Sequence, residues 1–324
     1  MRRKILVSVL LLSAVAWFSI ASAQTQAFPA KTIRLVVPAA PGGSTDTLSR
    51  VLGRVIQEQT GVAVVIENKA GASGSIGVSA VVHSPADGYT LLVSVPDAIT
   101  VYPLLKKNVP YRVEKDLTPI TLVANTNFVF AVESKSKAGN LKDFIALAKA
   151  GKLSYATPGN GTSGHLVMEM LKLRTGIDLL HVPYKGSGPA MLSVIARETE
   201  MTATSPTSLK SFVDSGQLKG LAITKESRSA MLPNVPTMAE SGYADFVIPA
   251  WFGVFAPAGV TGSVADRLNE LVLAAIRSPV FVKQAASLGL EIDPVSRQAF
   301  GQLLTKETLR WKQLIEISNL VLED

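Results

Sequence analysis

The 324-residue chain contains no cysteine. That excludes disulfide bridges, thiolate metal sites, a cysteine nucleophile and lipid attachment through a cysteine. Small exported domains usually need such staples, but a body of roughly 300 residues buries enough surface to do without them. Aromatic residues make up only 6% of the chain, and no basic run is interleaved with them, which argues against nucleic acid as a partner. The three histidines, His83, His165 and His181, lack metal-ligand spacing, and there is no H-x-x-x-H motif or carboxylate cluster. Neither a metal nor a cofactor is expected. Charged residues are also scarce, at 18% against 47% hydrophobic, as in a compact body with largely buried strands.

The first 23 residues have the layout of a signal peptide. Arg2, Arg3 and Lys4 precede an apolar stretch from Ile5 to Ile20, and Ala21-Ser22-Ala23 offers a small-x-small cleavage site. An uncleaved anchor is the competing reading, but the stretch is short for a span. No later stretch is long and apolar enough to span a bilayer, so the expected product is exported and soluble, starting at Gln24. The formal charge of +7 then falls, because 29 Lys and Arg face 25 Asp and Glu once those three cations are removed, leaving +4. Such a balance attracts anions weakly and is screened by salt.

Strands and helices alternate along most of the chain. Apolar runs at 33–37, 62–67, 89–95, 128–132, 153–157, 179–182, 201–204 and 220–224 read as strands. Helices are expected at 45–59, 75–83, 141–150, 163–174, 189–196 and 208–214, followed by a helical tail at 263–277, 279–288 and 297–319. Because the runs do not alternate strictly, they read as parallel strands covered on both faces. The expected fold is α/β with two Rossmann-like lobes: residues 24–127 plus 252–324 form the first and 128–251 the second. The chain crosses between them near 128–132 and 247–255, and the tail returns to cover the first lobe.

Two loops carry related chemistry. The first runs Ala39-Ala40-Pro41-Gly42-Gly43-Ser44-Thr45-Asp46, after one strand and before a helix. Its glycines allow close backbone approach, and Ser44 or Thr45 can cap the helix. The second is Gly159-Asn160-Gly161-Thr162-Ser163-Gly164, a literal G-x-G-x-x-G after Thr157. A dinucleotide fingerprint needs an acid at the end of the next strand. Here that strand ends in Val182-Pro183-Tyr184-Lys185-Gly186. A smaller anion fits better, held by exposed N–H groups and the Thr162 and Ser163 hydroxyls at a positive helix end. An ordinary glycine-rich cap is the competing reading. One helix end supplies ~0.3–2 kcal/mol, whereas micromolar binding needs about 8 kcal/mol, so a second lobe must close over the ligand.

Further candidates lie at other strand ends, where ligands of open α/β sheets sit. They are Val95 and Pro96, Tyr184, and Thr204 and Ser205. His165, at a helix start, is expected neutral, because that end disfavours a cation; it either contacts ligand or bonds to nearby backbone. A serine hydrolase would need G-x-S-x-G, and neither Gly71-Ala72-Ser73-Gly74 nor Gly186-Ser187-Gly188 has that spacing.

Taken in order, several segments resemble the Bug family, the extracytoplasmic receptors of tripartite tricarboxylate transporters. They are Phe28-Pro29-Ala30-Lys31-Thr32-Ile33-Arg34-Leu35-Val36-Val37-Pro38 with Pro41-Gly42-Gly43-Ser44-Thr45-Asp46, then Val65-Ile66-Glu67-Asn68-Lys69-Ala70-Gly71-Ala72-Ser73-Gly74, Pro85-Ala86-Asp87-Gly88-Tyr89-Thr90-Leu91-Leu92, the Gly159 to His165 segment, and Val182-Pro183-Tyr184-Lys185-Gly186-Ser187-Gly188-Pro189-Ala190. The resemblance implies a two-lobed periplasmic binding protein, type II-like, that closes on a small mono- or dicarboxylate and hands it to integral permease subunits. It implies a ligand site at 40–46, with Ala40, Gly42, Gly43, Ser44 and Asp46, and at 157–165, with Thr157, Asn160, Thr162, Ser163 and His165. Ala39-Ala40 stands where the family commonly has a larger residue. A periplasmic monomer without catalytic residues is expected. A receptor of this fold serving signalling or another transporter, and an exported enzyme using the cleft, are the other readings. Lys185 is the nearest candidate cation, so recognition is expected through N–H groups, hydroxyls and water.

Overall fold

The structure, a computed structural model, describes residues 28–292 and 294–318. The expected signal peptide and the last residue of the expected tail helix, Asn319, lie outside the described residues. In chain order the elements are β1 (Ile33–Val37), α1 (Ser44–Thr60), β2 (Val64–Asn68), α2 (Ser75–Val82), β3 (Thr90–Ser94), a π-helical turn (Asp97–Val101), α3 (Tyr102–Leu105), α4 (Val113–Asp116), β4 (Leu117–Asn127) and β5 (Val129–Glu133). They continue with α5 (Leu141–Ala150), β6 (Leu153–Thr157), α6 (Ser163–Thr175), β7 (Leu179–Pro183), α7 (Ser187–Ile195), β8 (Met201–Thr204), α8 (Pro206–Asp214) and β9 (Leu218–Ile223). The last are β10 (Pro249–Pro257), α9 (Gly262–Ile276), α10 (Pro279–Ser287) and α11 (Arg297–Ser318).

The strands form two five-stranded sheets, ordered β2-β1-β3-β10-β4 and β7-β6-β8-β5-β9. The sheets are mixed, which corrects the all-parallel expectation. β1 runs parallel to β2 and β3, and β6 parallel to β7 and β8. β10 is antiparallel to β3 and β4, and β5 is antiparallel to β8 and β9. The reason lies in where the chain crosses. β4 ends at Asn127 and β5 opens at Val129, opposite Thr204 at the end of β8. β9 ends at Ile223, and β10 opens at Pro249, opposite Asn127. Both passages thus connect the carboxyl edges of the two sheets, and the strand following each passage must run backwards.

Four groups tie the passages together. Asn127 Nδ2 donates to the carbonyls of Thr224 (3.0 Å) and Ile248 (3.2 Å). The Phe128 amide donates to Thr224 Oγ1 at 3.0 Å, and that hydroxyl donates to Ile248 O at 2.9 Å. Thr224 is fully buried, so the bond from its hydroxyl to Ile248 O forms away from competing water.

The apolar runs are buried as their patterning dictates. β3 is buried at every position, and β1 at all but Arg34, which forms a bidentate pair with Glu67 of β2 at 2.7 and 2.8 Å. Helices stop where glycine supplies a left-handed residue, at Gly61 (φ 71°) after α1 and Gly176 (φ 65°) after α6. α11 does more than the expected cover of the first sheet. Phe300 and Leu304 pack with Trp251 and Phe255 of β10, while Trp311 and Leu314 enter the core around Phe130 and Leu166 of the second sheet. Between these contacts lies Glu307, 6% exposed, whose carboxylate accepts from the indole N–H of Trp251 (2.5 Å) and of Trp311 (3.2 Å). Burial pushes its carboxyl up to about 7, against the pull of the two indole bonds.

Two predictions follow from this core. The folded chain holds the Glu307 proton up to about pH 7, while the unfolded chain releases it near 4.5, so stability falls as pH rises through that window. Urea unfolding of wild type and Glu307→Gln at pH 5 and pH 7.5 should show the difference between them shifting toward the variant by on the order of 3 kcal/mol. Parallel pH dependence would contradict it. Gly253 in β10 faces Phe300, whose ring an added Cβ would overlap. Gly253→Ala should lower stability by ~1–3 kcal/mol through displacement of that ring, and an unchanged urea midpoint would show that the ring moves freely.

Candidate ligand-binding site

The loop after β1 is held by a carboxylate. Asp46, nearly fully buried, accepts from the Gly42 amide at 2.9 Å, from Arg50 Nε at 2.9 Å and from Asn68 Nδ2 at 3.0 Å, and Asn68 also donates to Ala39 O at 3.2 Å. The Arg50 guanidinium, followed by the Gly42 and Asn68 bonds, holds the Asp46 carboxyl down at about 2 despite its burial. Gly42 takes φ +87°, a conformation open to glycine. The expected hydroxyl cap is absent: the N-cap of α1 is Gly43, no side chain caps it, and Ser44 is already the first helical residue. α1 therefore begins with N–H groups that no side chain of its own satisfies.

The loop after β6 is held by hydroxyls and an imidazole. Thr162 caps α6, accepting from the His165 amide at 3.4 Å while its hydroxyl donates to Gly159 O at 2.9 Å. His165 Nδ1 accepts from the Gly161 amide at 3.1 Å. Its ring stacks on His181 at 3.9 Å, and His181 stacks in turn on Tyr155 at 4.9 Å. Burial pushes both imidazoles down to about 4, so both are neutral near pH 7. Thr157, fully buried, shares a 2.7 Å hydrogen bond with His181 Nε2. Of the two readings left open for His165, the one the structure displays is the bond to adjacent backbone.

Between the two carboxyl edges lies a cavity of about 200 Å³. Ser44 reaches it from α1, Val95, Pro96 and Asp97 from the turn after β3, and Thr162 and Ser163 from the start of α6. Thr204 and Ser205 at the end of β8 also line it. Seven of the residues singled out in the sequence thus meet at one cavity: Ser44, Val95, Pro96, Thr162, Ser163, Thr204 and Ser205. Ala40, Gly42, Gly43, Asp46, Thr157, Asn160, His165 and Tyr184 are not among its lining residues. Asp46, Thr157 and His165 spend their polar atoms on shaping the loops, Asn160 is exposed, and Tyr184 Oη donates to Glu198 at 3.4 Å. Lys185 is exposed and lines nothing here.

Sequence reasoning missed several lining residues. Thr126 and Phe128 flank the first passage, and Trp251 and Phe252 lie in β10 beside the second. The signal that locates them is their position at strand ends on the edge where the chain crosses. The most consequential omission is Asp97. One of its carboxylate oxygens, Oδ1, accepts from the Ser163 amide at 3.0 Å and from the Ser163 hydroxyl in a short bond. A carboxylate from the first sheet's side thereby sits on the start of a helix in the other half. Asp97 retains some exposed surface, yet desolvation dominates its titration and pushes its carboxyl above the ordinary range, with the Ser163 bonds pulling the other way. It is the only charged side chain among the cavity's described lining residues.

Known proteins share this fold. The chain is 37% identical over 291 residues to protein BugT of Bordetella pertussis, covering 89% of each. Its fold matches a Rhodopseudomonas palustris protein solved with adipate, at 29% identity and a TM-score of 0.83, over 91% of this chain and 99% of that one. It also matches MatC from R. palustris with bound malate, at 27% identity and a TM-score of 0.79, over 89% and 100%. Residues 48–320 match the family described as tripartite tricarboxylate transporter family receptor, TctC. With two α/β sheets facing one cavity and this match across most of its length, the chain belongs to that family of solute-binding receptors, and it is a receptor rather than an enzyme.

Proposed function

We propose that this chain is a periplasmic receptor that binds a small carboxylate in the cavity between its sheets and delivers it to the integral membrane subunits of a tripartite tricarboxylate-type transporter. It works as a monomer of two lobes, residues 24–127 with 252–324 and residues 128–251, that close over the ligand. The observation that carries this reading is the convergence of two helix starts, Ser44 of α1 and Thr162 and Ser163 of α6, on one cavity at the carboxyl edges of both sheets. Each start presents a positive dipole end; the first N–H groups of α1 carry no side-chain cap, while at α6 the Ser163 amide already donates to Asp97. Neither suffices alone, at ~0.3–2 kcal/mol each, and together with hydroxyls and bridging water they approach the scale of micromolar binding. Sheet membership supports the lobe division, with β10 opening three residues earlier than the proposed second boundary. The relatives solved with adipate and with malate support a carboxylate as the ligand class.

Thermal-shift screening of the purified protein against organic acids, amino acids and sugars should give stabilisation by acids. A sugar or a divalent metal as the sole stabilising compound would overturn the reading. Replacing Thr162 and Ser163 together by Ala should weaken calorimetric affinity for the best acid by ~1–3 kcal/mol in total, and unchanged affinity would remove both hydroxyls from the site.

A further inference from the structure

The lining of the cavity is unbalanced in charge. A receptor for an anion would be expected to present a cation, yet among the described residues no Lys, Arg or His lines the cavity and the one charged side chain that does is acidic. Asp97 is held in place by both the amide and the hydroxyl of Ser163, so it occupies the position at the start of α6 that an incoming carboxylate would otherwise take. A second carboxylate beside it, with nothing to neutralise the pair, is disfavoured by like-charge repulsion in a poorly solvated space. The opposite helix start differs. α1 has no side-chain cap, and Ser44 lines the cavity. Thr126 also lines it, is 8% exposed, and has a hydroxyl with no hydrogen-bond partner. A buried hydroxyl left unsatisfied points to a polar group supplied from outside the chain. Phe128 and Phe252 also line the cavity, and aromatic faces attract cations.

Resting on the carboxylate-receptor reading, we propose that the ligand is a small zwitterion, an amino acid in the broad sense, whose carboxylate lies at the start of α1 and whose ammonium group pairs with Asp97. Asp97 is then the residue that separates amino acids from plain carboxylates. The ligand brings the cation that the lining lacks, and the helix start that is free takes the anion. The small volume of the cavity, about 200 Å³, suits a short carbon skeleton.

The test is calorimetric titration of the full chain with matched pairs that differ by one ammonium group: aspartate and succinate, glutamate and glutarate, 4-aminobutyrate and butyrate, alanine and propionate. At least one amino compound should bind tenfold or more tightly than its partner, and Asp97→Asn should erase that ratio or reverse it. Asparagine can still accept from the Ser163 amide, as it does at helix caps, so the helix start stays satisfied. The wild-type ratio stands as a readout even if the variant folds poorly. Plain acids binding as well as or better than their amino partners would overturn the zwitterion proposal and leave the receptor reading intact, as would a preference that survives Asp97→Asn. Binding by no acid of either kind would overturn both.

Discussion

The cross-tie of Asn127, Phe128, Thr224 and Ile248 fixes the geometry on which the rest depends. One amide side chain and one buried hydroxyl bind the two passages to each other. Because both passages leave and enter at carboxyl edges, tying them together makes those edges face one another. Helices that follow parallel strands start at such edges, so the positive ends of α1 and α6 come together without any direct bond between them. The backward direction of β5 and β10 follows from the same constraint and places one antiparallel strand fourth in each five-stranded sheet.

Within that frame, polar side chains divide by what they spend their hydrogen bonds on. Asp46, Asn68 and Arg50 bind the first loop, and Thr157, His165 and His181 bind the second. Asp46, Thr157 and His165 are buried and hydrogen-bonded, as low-dielectric surroundings require, while Arg50 closes the first loop from the surface. What is left facing the cavity is a sparse set of hydroxyls, two helix starts and Asp97. The loops are thus cross-linked by charged and titratable groups. Tyr155 shows the same economy: its hydroxyl donates to buried Glu169 at 2.5 Å, and Lys172 pairs with that carboxylate at 2.9 Å.

Local signals made much of the fold legible in the sequence. α5 starts after the Asn140 cap and runs to Gly151, and β6 and β8 are apolar runs with clear ends; the expected ranges match the structure residue for residue. β4 did not read as a strand, because Pro119 interrupts it and Thr, Asn and Ala dilute its apolar pattern. Strand direction was illegible as well, since it follows from where the chain crosses and not from the composition of β5 or β10. At the site, glycine-rich loops announced both helix starts. They did not reveal which residues face inward, and Asp46, expected at the ligand site, is a buried anchor of its loop. Asp97 meets Ser163 across 66 positions of sequence, and no local pattern encodes so distant a contact.

The seating of α11 has a mechanical consequence. Phe300 is lodged in one core, Trp311 in the other, and Arg310 Nη1 holds the Val247 carbonyl at 3.0 Å near the return passage. A swing of one sheet against the other about the two passages cannot leave this helix behind. It must either rock as a lever with one end pinned or let the Trp311 indole slide in its socket, and both strain the carboxylate wedged between the two indoles. Travel in any such swing would be limited less by the slender passages than by how far a single buried glutamate can move before it loses one of its donors.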